Sequence, residues 1–298
     1  MIIPLAMAVW RTLNPEGTEV RLKKFTGDFS DVIRGKREGE TESDLRRGIV
    51  LDLETTGFNR DREEVIEIGM RPFVFHRLLG EVRSVGEGTD WLHDPGFPLS
   101  PEIERLTGLT SKDLAGHELN WTKVDEVLTQ SDLVIAHNAS FDRPFVDKRS
   151  RVSPKKVWGC SLKQVDWASK GFPAAKLEML SAYHGFFTNA HRALADADAV
   201  LYLLAQTDPA TRRSYLAELL EAARVPSARV FAVHAPYDKK EDLKGRGYRW
   251  DPQKSVWNRT ITKTTLDEEK AWLEACVYRG AFRGHVVELS LEDQFKAS

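Results

Sequence analysis

Gly48-Ile49-Val50-Leu51-Asp52-Leu53-Glu54 is a continuous apolar run broken only by two acids. A run of this kind reads as a strand buried on both faces. Burying an ionised carboxylate without a partner is very costly, so Asp52 and Glu54 constrain what the chain can become more than any other feature does. Side chains at i and i+2 of a strand share a face, and the two acids therefore converge at the strand end, just before Thr55-Thr56-Gly57. For this pair alone two readings stay open. One is an acidic strand end capped by an arginine from elsewhere. The other is a set of hard oxygen ligands for a divalent cation such as Mg²⁺ or Mn²⁺.

The surrounding pattern predicts strands alternating with helices. Residues 64–70 read as a second strand, 71–83 as the rest of a meander, and 133–136 as another buried strand. Residues 121–130, 141–148, 176–184 and 193–206 read as helices by apolar spacing. This order predicts a layered α/β domain over residues 48–206. Residues 1–47 read as an N-terminal extension, with a solvated mixed-charge stretch from Lys36 to Arg47, and residues 207–225 as a helical linker. Residues 226–298 read as a small α+β module with strands at 230–233 and 256–261 and helices at 239–244 and 266–277.

Further acids change the balance for Asp52 and Glu54. Asp142 closes Ala136-His137-Asn138-Ala139-Ser140-Phe141-Asp142, and is expected at the C-terminal end of a buried strand, where α/β sheets place their sites. Asp196 lies in His191-Arg192-Ala193-Leu194-Ala195-Asp196, in the first turns of a predicted helix. Five residues do not share one helix face, so His191 is expected on the preceding loop, with both side chains reaching inward.

Asp52-x-Glu54-Thr55-Thr56-Gly57, His137-Asn138-Ala139-x-Phe141-Asp142 and His191-Arg192-Ala193-Leu194-x-Asp196-Ala197 resemble the three motifs of the DnaQ-like DEDD 3′→5′ exonuclease family. The histidine before the last acid is similar to the DEDDh branch. The resemblance covers residues 48–206 in the family's order and spacing, and Leu177-Glu178-x-Leu180 with Tyr183-His184-Gly185 matches the segment before the third motif. It implies an RNase H-like α/β domain with a mixed sheet. It also implies hydrolysis of phosphodiester bonds with two Mg²⁺ or Mn²⁺ ions per active site, releasing nucleoside 5′-monophosphates. In that scheme Asp52 bridges both metals, Glu54 and Asp196 hold the nucleophile-side metal, and Asp142 acts on the leaving-group side mostly through water. His191 is the general base. Thr55, Thr56 and Gly57 are expected to bring backbone N–H groups to the terminal sugar and phosphate. His137, Asn138 and Phe141 are expected to shape that turn or touch the nucleotide. Glu67 and Glu178 lie outside the motifs and are read as structural.

The net charge of −2 excludes a general polycation, so any nucleic-acid contact has to come from local patches. Residues 224–263 hold ten lysines and arginines against four acids, interleaved with Tyr237, Tyr248, Trp250 and Trp257. The segment from Gly245 to Trp257 resembles a small C-terminal module of some bacterial stand-alone members of the same family. Arg249, Trp250 and Trp257, with Arg246, Lys254 and Arg259, are candidate contacts to a single strand. The competing reading is a hairpin core in which Trp250 and Trp257 pack together; the two are compatible.

Cys160 and Cys276 have neither metal nor redox spacing and read as buried thiols of a reducing compartment. The apolar segment 1–10 is short and has no basic residues before it, so neither a secretory signal nor a membrane span is expected and a cytoplasmic location is. The expected partner is nucleic acid with single-stranded 3′ ends, DNA favoured over RNA. The alternatives are an RNA-trimming exoribonuclease and a catalytically silent nucleic-acid-binding homologue; the latter predicts a missing metal acid, and none is missing. A DNA polymerase or repair protein is a further candidate partner that the sequence itself does not show, since the chain has no polymerase-like region.

Overall fold

The computed structural model describes residue 14, residues 16–189 and residues 191–297; the apolar segment 1–10 lies outside them. The chain forms two compact units, residues 1–222 with 295–298, and residues 223–294.

The first unit is built on a mixed sheet. Its long central strands are β2 (Leu45–Thr55) and β3 (Val65–His76), which run antiparallel and place Asp52 opposite Gly69 and Glu54 opposite Glu67. β4 (Val82–Val85) and β5 (Thr89–Leu92) both pair with β3. On the other side β6 (Leu133–Ala136) runs parallel to β2, and β7 (Val157–Cys160) parallel to β6. β6 is buried along its whole length and β2 through its central residues, as expected for parallel strands covered on both faces. Ile49, Leu51, Leu53, Ile68 and Met70 join Val134 and Trp158 in the main core.

Helices α1 (Pro101–Thr107), α2 (Ser111–Leu114) and α3 (Trp121–Thr129) connect the meander to β6. Each starts at a capping side chain, Ser100, Thr110 and Asn120 respectively, which accepts a first-turn backbone N–H. Then follow α4 (Ala139–Arg149), α5 (Leu177–Tyr183), α6 (Ala193–Ala205) and α7 (Tyr215–Ala223). The close approach of α6 to β3 sets up the site. A Cβ added at Gly69 would lie 2.1 Å from the Leu194 nitrogen, so only glycine lets the first turn of α6 rest on the strand.

Two segments differ from the sequence expectation. The stretch from Lys36 to Arg47 is not simply solvated, because Glu40 is buried and accepts three hydrogen bonds from Arg83. The extension is also tied down by β1 (Lys23–Lys24), which pairs with β8 (Phe186–Phe187), and by buried Phe29 and Val32. Nor is the helical linker over residues 207–225 only a connection: Leu216, Leu219 and Leu220 of its helix α7 are buried, and Ser214 donates to the Gly80 carbonyl. Amphipathic spacing identifies a helix but not the body it packs on.

The second unit is a four-stranded antiparallel sheet in the order β10 (Arg249–Asp251), β11 (Val256–Thr262), β9 (Ser227–Ala232), β12 (His285–Leu289). Helices α8 (Lys240–Gly245) and α9 (Leu266–Trp272) contribute Leu243 and Leu266, which pack with Val230, Ala232 and Ile261 of the sheet. Trp250 and Trp257 are register partners with rings in edge-to-face contact at 5.5 Å, the packing of the hairpin reading. Arg246 and Arg259 depart from the expected strand contacts. Both bind the buried Glu269 carboxylate, at 3.3 and 2.8 Å, so their charge is spent inside the module. No helix among the described residues is long and apolar enough to cross a membrane.

Candidate active site

Three segments converge at the end of β2. Asp52 and Glu54 arrive on the strand itself. Asp142 sits in the first turn of α4, not at the end of β6 as expected, since the strand stops at Ala136 and the helix starts at Ala139. Asp196 sits in the first turn of α6, and His191 on the turn before it. The backbone of His191 is left-handed, with φ of +62°. That conformation costs a non-glycine residue on the order of 1 kcal/mol, and it is accompanied by a hydrogen bond from the His191 N–H to Asp196 Oδ2 at 2.9 Å. One ligand atom each of Glu54, His191 and Asp196 lies within 4.8 Å of the other two.

The electrostatics show what the arrangement lacks. Burial, and then the charges of Asp142, Asp196 and Glu54, push the Asp52 carboxyl well above the usual carboxylate range. Burial with Asp196, Glu67 and Asp142 raises Glu54 to about 8. Asp142 is pushed up to about 7 by burial, against a hydrogen bond from the Leu53 N–H, and Asp196 to about 7 by burial, against the bond from His191. Acids crowded this way favour protons over ionisation unless a cation enters. Arg192 is the cation beside them, and its guanidinium is already held by Glu67. The donor set of hard oxygens and one imidazole fits divalent metal ions.

Glu67, read from sequence as merely structural, organises the third segment. It is fully buried and accepts from Arg192 Nε and Nη2 at 2.9 and 2.7 Å and from the Ala193 N–H at 3.0 Å. It thereby satisfies an orphan amide at the start of α6 and fixes the residues flanking His191. Asp90 adds a longer contact to Arg192 at 3.5 Å, and its own carboxyl is raised to about 7 by burial and by Glu67. The signal was present in the sequence: Glu67 stands between Ile66 and Ile68 in a buried run, as Asp52 stands between leucines. Glu178 lies 3.7 Å from His191 Nε2, at the start of α5.

Several expected substrate contacts are committed to the fold. His137 uses both ring nitrogens, Nδ1 with Ser161 Oγ at 2.9 Å and Nε2 with the Ala175 carbonyl at 2.8 Å, and burial holds its pKa down. It ties down the 161–175 segment rather than meeting a nucleotide. Thr56 donates its hydroxyl to Glu63 and its N–H to the Glu64 carbonyl, and the Thr55 hydroxyl closes on the Gly57 carbonyl. These two threonines shape the loop, and the Thr56 N–H is not free for phosphate. Asn138 is exposed at the start of α4. Phe141, one residue before Asp142, packs edge-on against Phe58, which is 89% exposed and follows Gly57 directly.

Residues 49–204 match the RNase_T exonuclease family. The chain is 32% identical over 160 residues to the DNA polymerase III subunit epsilon of Aquifex aeolicus, covering 50% of this chain and 74% of that protein. It is 30% identical to the PolC-type DNA polymerase III of Listeria innocua, covering 52% of this chain but only 11% of that one. Among solved structures, Escherichia coli exonuclease I, in a complex with single-stranded DNA, superposes with a TM-score of 0.50 at 14% identity, over 83% of this chain and 64% of its own. That likeness extends to the fold alone. With more than half of its length matched, the chain belongs to the RNase_T exonuclease family.

Proposed function

We propose that the protein removes nucleoside 5′-monophosphates from the 3′ ends of nucleic acid, DNA in preference to RNA, with two Mg²⁺ or Mn²⁺ ions in the site. The observation that carries this reading is the convergence of Asp52, Glu54, Asp142 and Asp196, all raised by burial and the first two also by the charges of their neighbours in the set, with no free counter-cation among the described residues. Asp52, Glu54, Asp142 and Asp196 would hold the ions. When bound, such ions activate the attacking water and stabilise the departing 3′ oxygen.

The chain's own groups supply the rest. His191 accepts the proton of the attacking water. Its side chain is 39% exposed, so the proton can pass on to solvent. Glu67 and the Asp196 carboxylate hold the His191 turn in place through Arg192, the Ala193 N–H and the His191 N–H. Phe58 and Phe141 offer an exposed aromatic surface for the terminal base.

DNA preference and a polymerase as partner rest on the similarity to polymerase III subunits, and the preference is tested directly. Purified protein with Mg²⁺ is offered 3′- and 5′-labelled single-stranded DNA, duplex DNA and RNA of one sequence. The reading expects mononucleotides released first from the 3′ label, fastest on DNA. Faster RNA trimming makes it an exoribonuclease, and binding without turnover a silent homologue.

A further inference from the structure

We propose that the open face of the four-stranded sheet in residues 223–294 binds single-stranded nucleic acid through a row of cations and stacked rings. The proposal rests on the exonuclease reading above and gives the C-terminal unit its role. Strand register defines the face. Val230, Ala232 and Ile261 point into the core, so by alternation Arg229, Phe231, Asn258 and Thr260 point the other way. Across the sheet Arg249 stands opposite Asn258, Asn258 opposite Phe231, and Phe231 opposite His285. The adjacent row is Thr260, Arg229 and Val287.

This face is uncovered. Arg249, Lys254, Thr260, His285 and Val287 are all exposed. The Phe231 and His285 rings are stacked at an interplanar angle of 30°, 6.0 Å apart, and Lys254 Nζ reaches 5.9 Å from the Phe231 centroid. The face carries three cations, Arg229, Arg249 and Lys254. Arg229 makes only a 3.4 Å contact to the Thr260 hydroxyl, and Lys254 stands 3.6 Å from Asp251, the acid on this side, which is occupied by turn amides. The opposite face spends Arg246 and Arg259 on Glu269.

Cations spaced along a sheet with flat rings between them match a flexible strand, whose phosphates pair with the charges and whose unpaired bases stack. A duplex hides its base faces, and an acidic peptide offers no regular succession of stacking rings between its charges. Because the two units share one chain, a strand held here leaves the enzyme less often between cuts. The chemistry is common to single-stranded DNA and RNA.

The test is binding by the full chain, in EDTA to prevent cleavage, to a thymidine oligonucleotide and its uridine counterpart across a salt titration. Each lost phosphate contact lowers the salt slope by about 0.7 for a single strand. The triple variant Arg229→Gln, Arg249→Gln, Lys254→Gln is therefore expected to bind more weakly with a slope shallower by about 2. Phe231→Ala is expected to weaken binding about tenfold with the slope unchanged, and Phe231→Tyr to restore it. A control triple, Lys239→Gln, Lys240→Gln, Lys244→Gln on and beside α8, is expected to leave the slope near wild type. Thermal melting of each variant at the wild-type temperature keeps loss of folding out of the comparison. If the sheet triple binds as wild type, or the control triple lowers the slope equally, the face is not the strand site, while 3′-end cleavage by the wild type leaves the exonuclease reading standing. If the wild type neither binds nor cleaves single strands, both fail together. Comparison of the thymidine and uridine arms assigns the source of the strand.

Discussion

Replacing Glu67 tests how the third segment is held. Glu67→Ala removes a fully buried carboxylate that accepts three hydrogen bonds, two from Arg192 and one from the first amide of α6. Breaking a buried ion pair by deleting one partner costs about 3–5 kcal/mol. Here the Arg192 side chain is 42% exposed and keeps Asp90 at 3.5 Å, so about 2–3 kcal/mol is expected. For a unit of this size that is a fall in Tm of roughly 5–10 °C. Well below the melting temperature, kcat is still expected to fall on the order of 10²-fold, because displacing a proton acceptor by about 1 Å is enough. KM should change little. Glu67→Gln retains an acceptor for the Ala193 N–H but removes the charge. Glu67 is one of the charges that hold Glu54 up, so the Gln variant should shift the acidic limb of the activity profile to lower pH. The assays are calorimetry in EDTA and cleavage of a 3′-labelled strand over pH. An Ala variant with wild-type Tm and wild-type kcat would refute the role assigned to Glu67.

The metal-free protein should be less stable in alkali than in mild acid. Glu54, Asp142 and Asp196 have folded pKa values raised to about 8, 7 and 7, so their contribution is present below the unfolded carboxylate range and is lost as pH rises through 7 to 8. Glu54→Gln should therefore raise Tm in EDTA at about pH 8.5 and leave it nearly unchanged near about pH 4; a variant that melts lower at the alkaline pH contradicts the repulsion. His191→Ala should lower kcat on the order of 10²–10⁴-fold with Mn²⁺ affinity retained, and a parallel loss of Mn²⁺ affinity would make the imidazole a ligand instead of a base. Phe58→Ala should raise KM about tenfold with kcat within about twofold, and unchanged KM would remove Phe58 from the substrate surface.

The site was legible in the sequence because its acids break apolar runs. Asp52 and Glu54 announce themselves in the apolar run from Gly48 to Glu54, and the spacing of His191 and Asp196 predicts a loop followed by a helix, the arrangement observed. Contacts that depend on long-range packing were not legible. Glu67 carries the same signal as Asp52, but its partner Arg192 lies 125 residues away. His137 and Thr56 have nucleotide-binding chemistry, and only the fold shows that Ala175 and Glu63 consume it. In the C-terminal unit composition correctly gives a basic and aromatic segment. It does not give β10 and β12, each five residues or shorter, without which no face can be assigned. A charge count also cannot separate Arg249, which is exposed, from Arg259, which is bound to buried Glu269.

The central claim is that Asp52, Glu54, Asp142 and Asp196 make one metal-dependent centre for cleavage at 3′ ends. Its most direct test is single-turnover cleavage of a 3′-labelled single strand by wild type and Asp52→Asn, each with Mg²⁺ and with EDTA. The account predicts release of the terminal nucleoside 5′-monophosphate by the wild type with Mg²⁺ alone, and no release by the folded Asp52→Asn protein under either condition. Cleavage that persists in EDTA, or in Asp52→Asn at the wild-type rate, would contradict it.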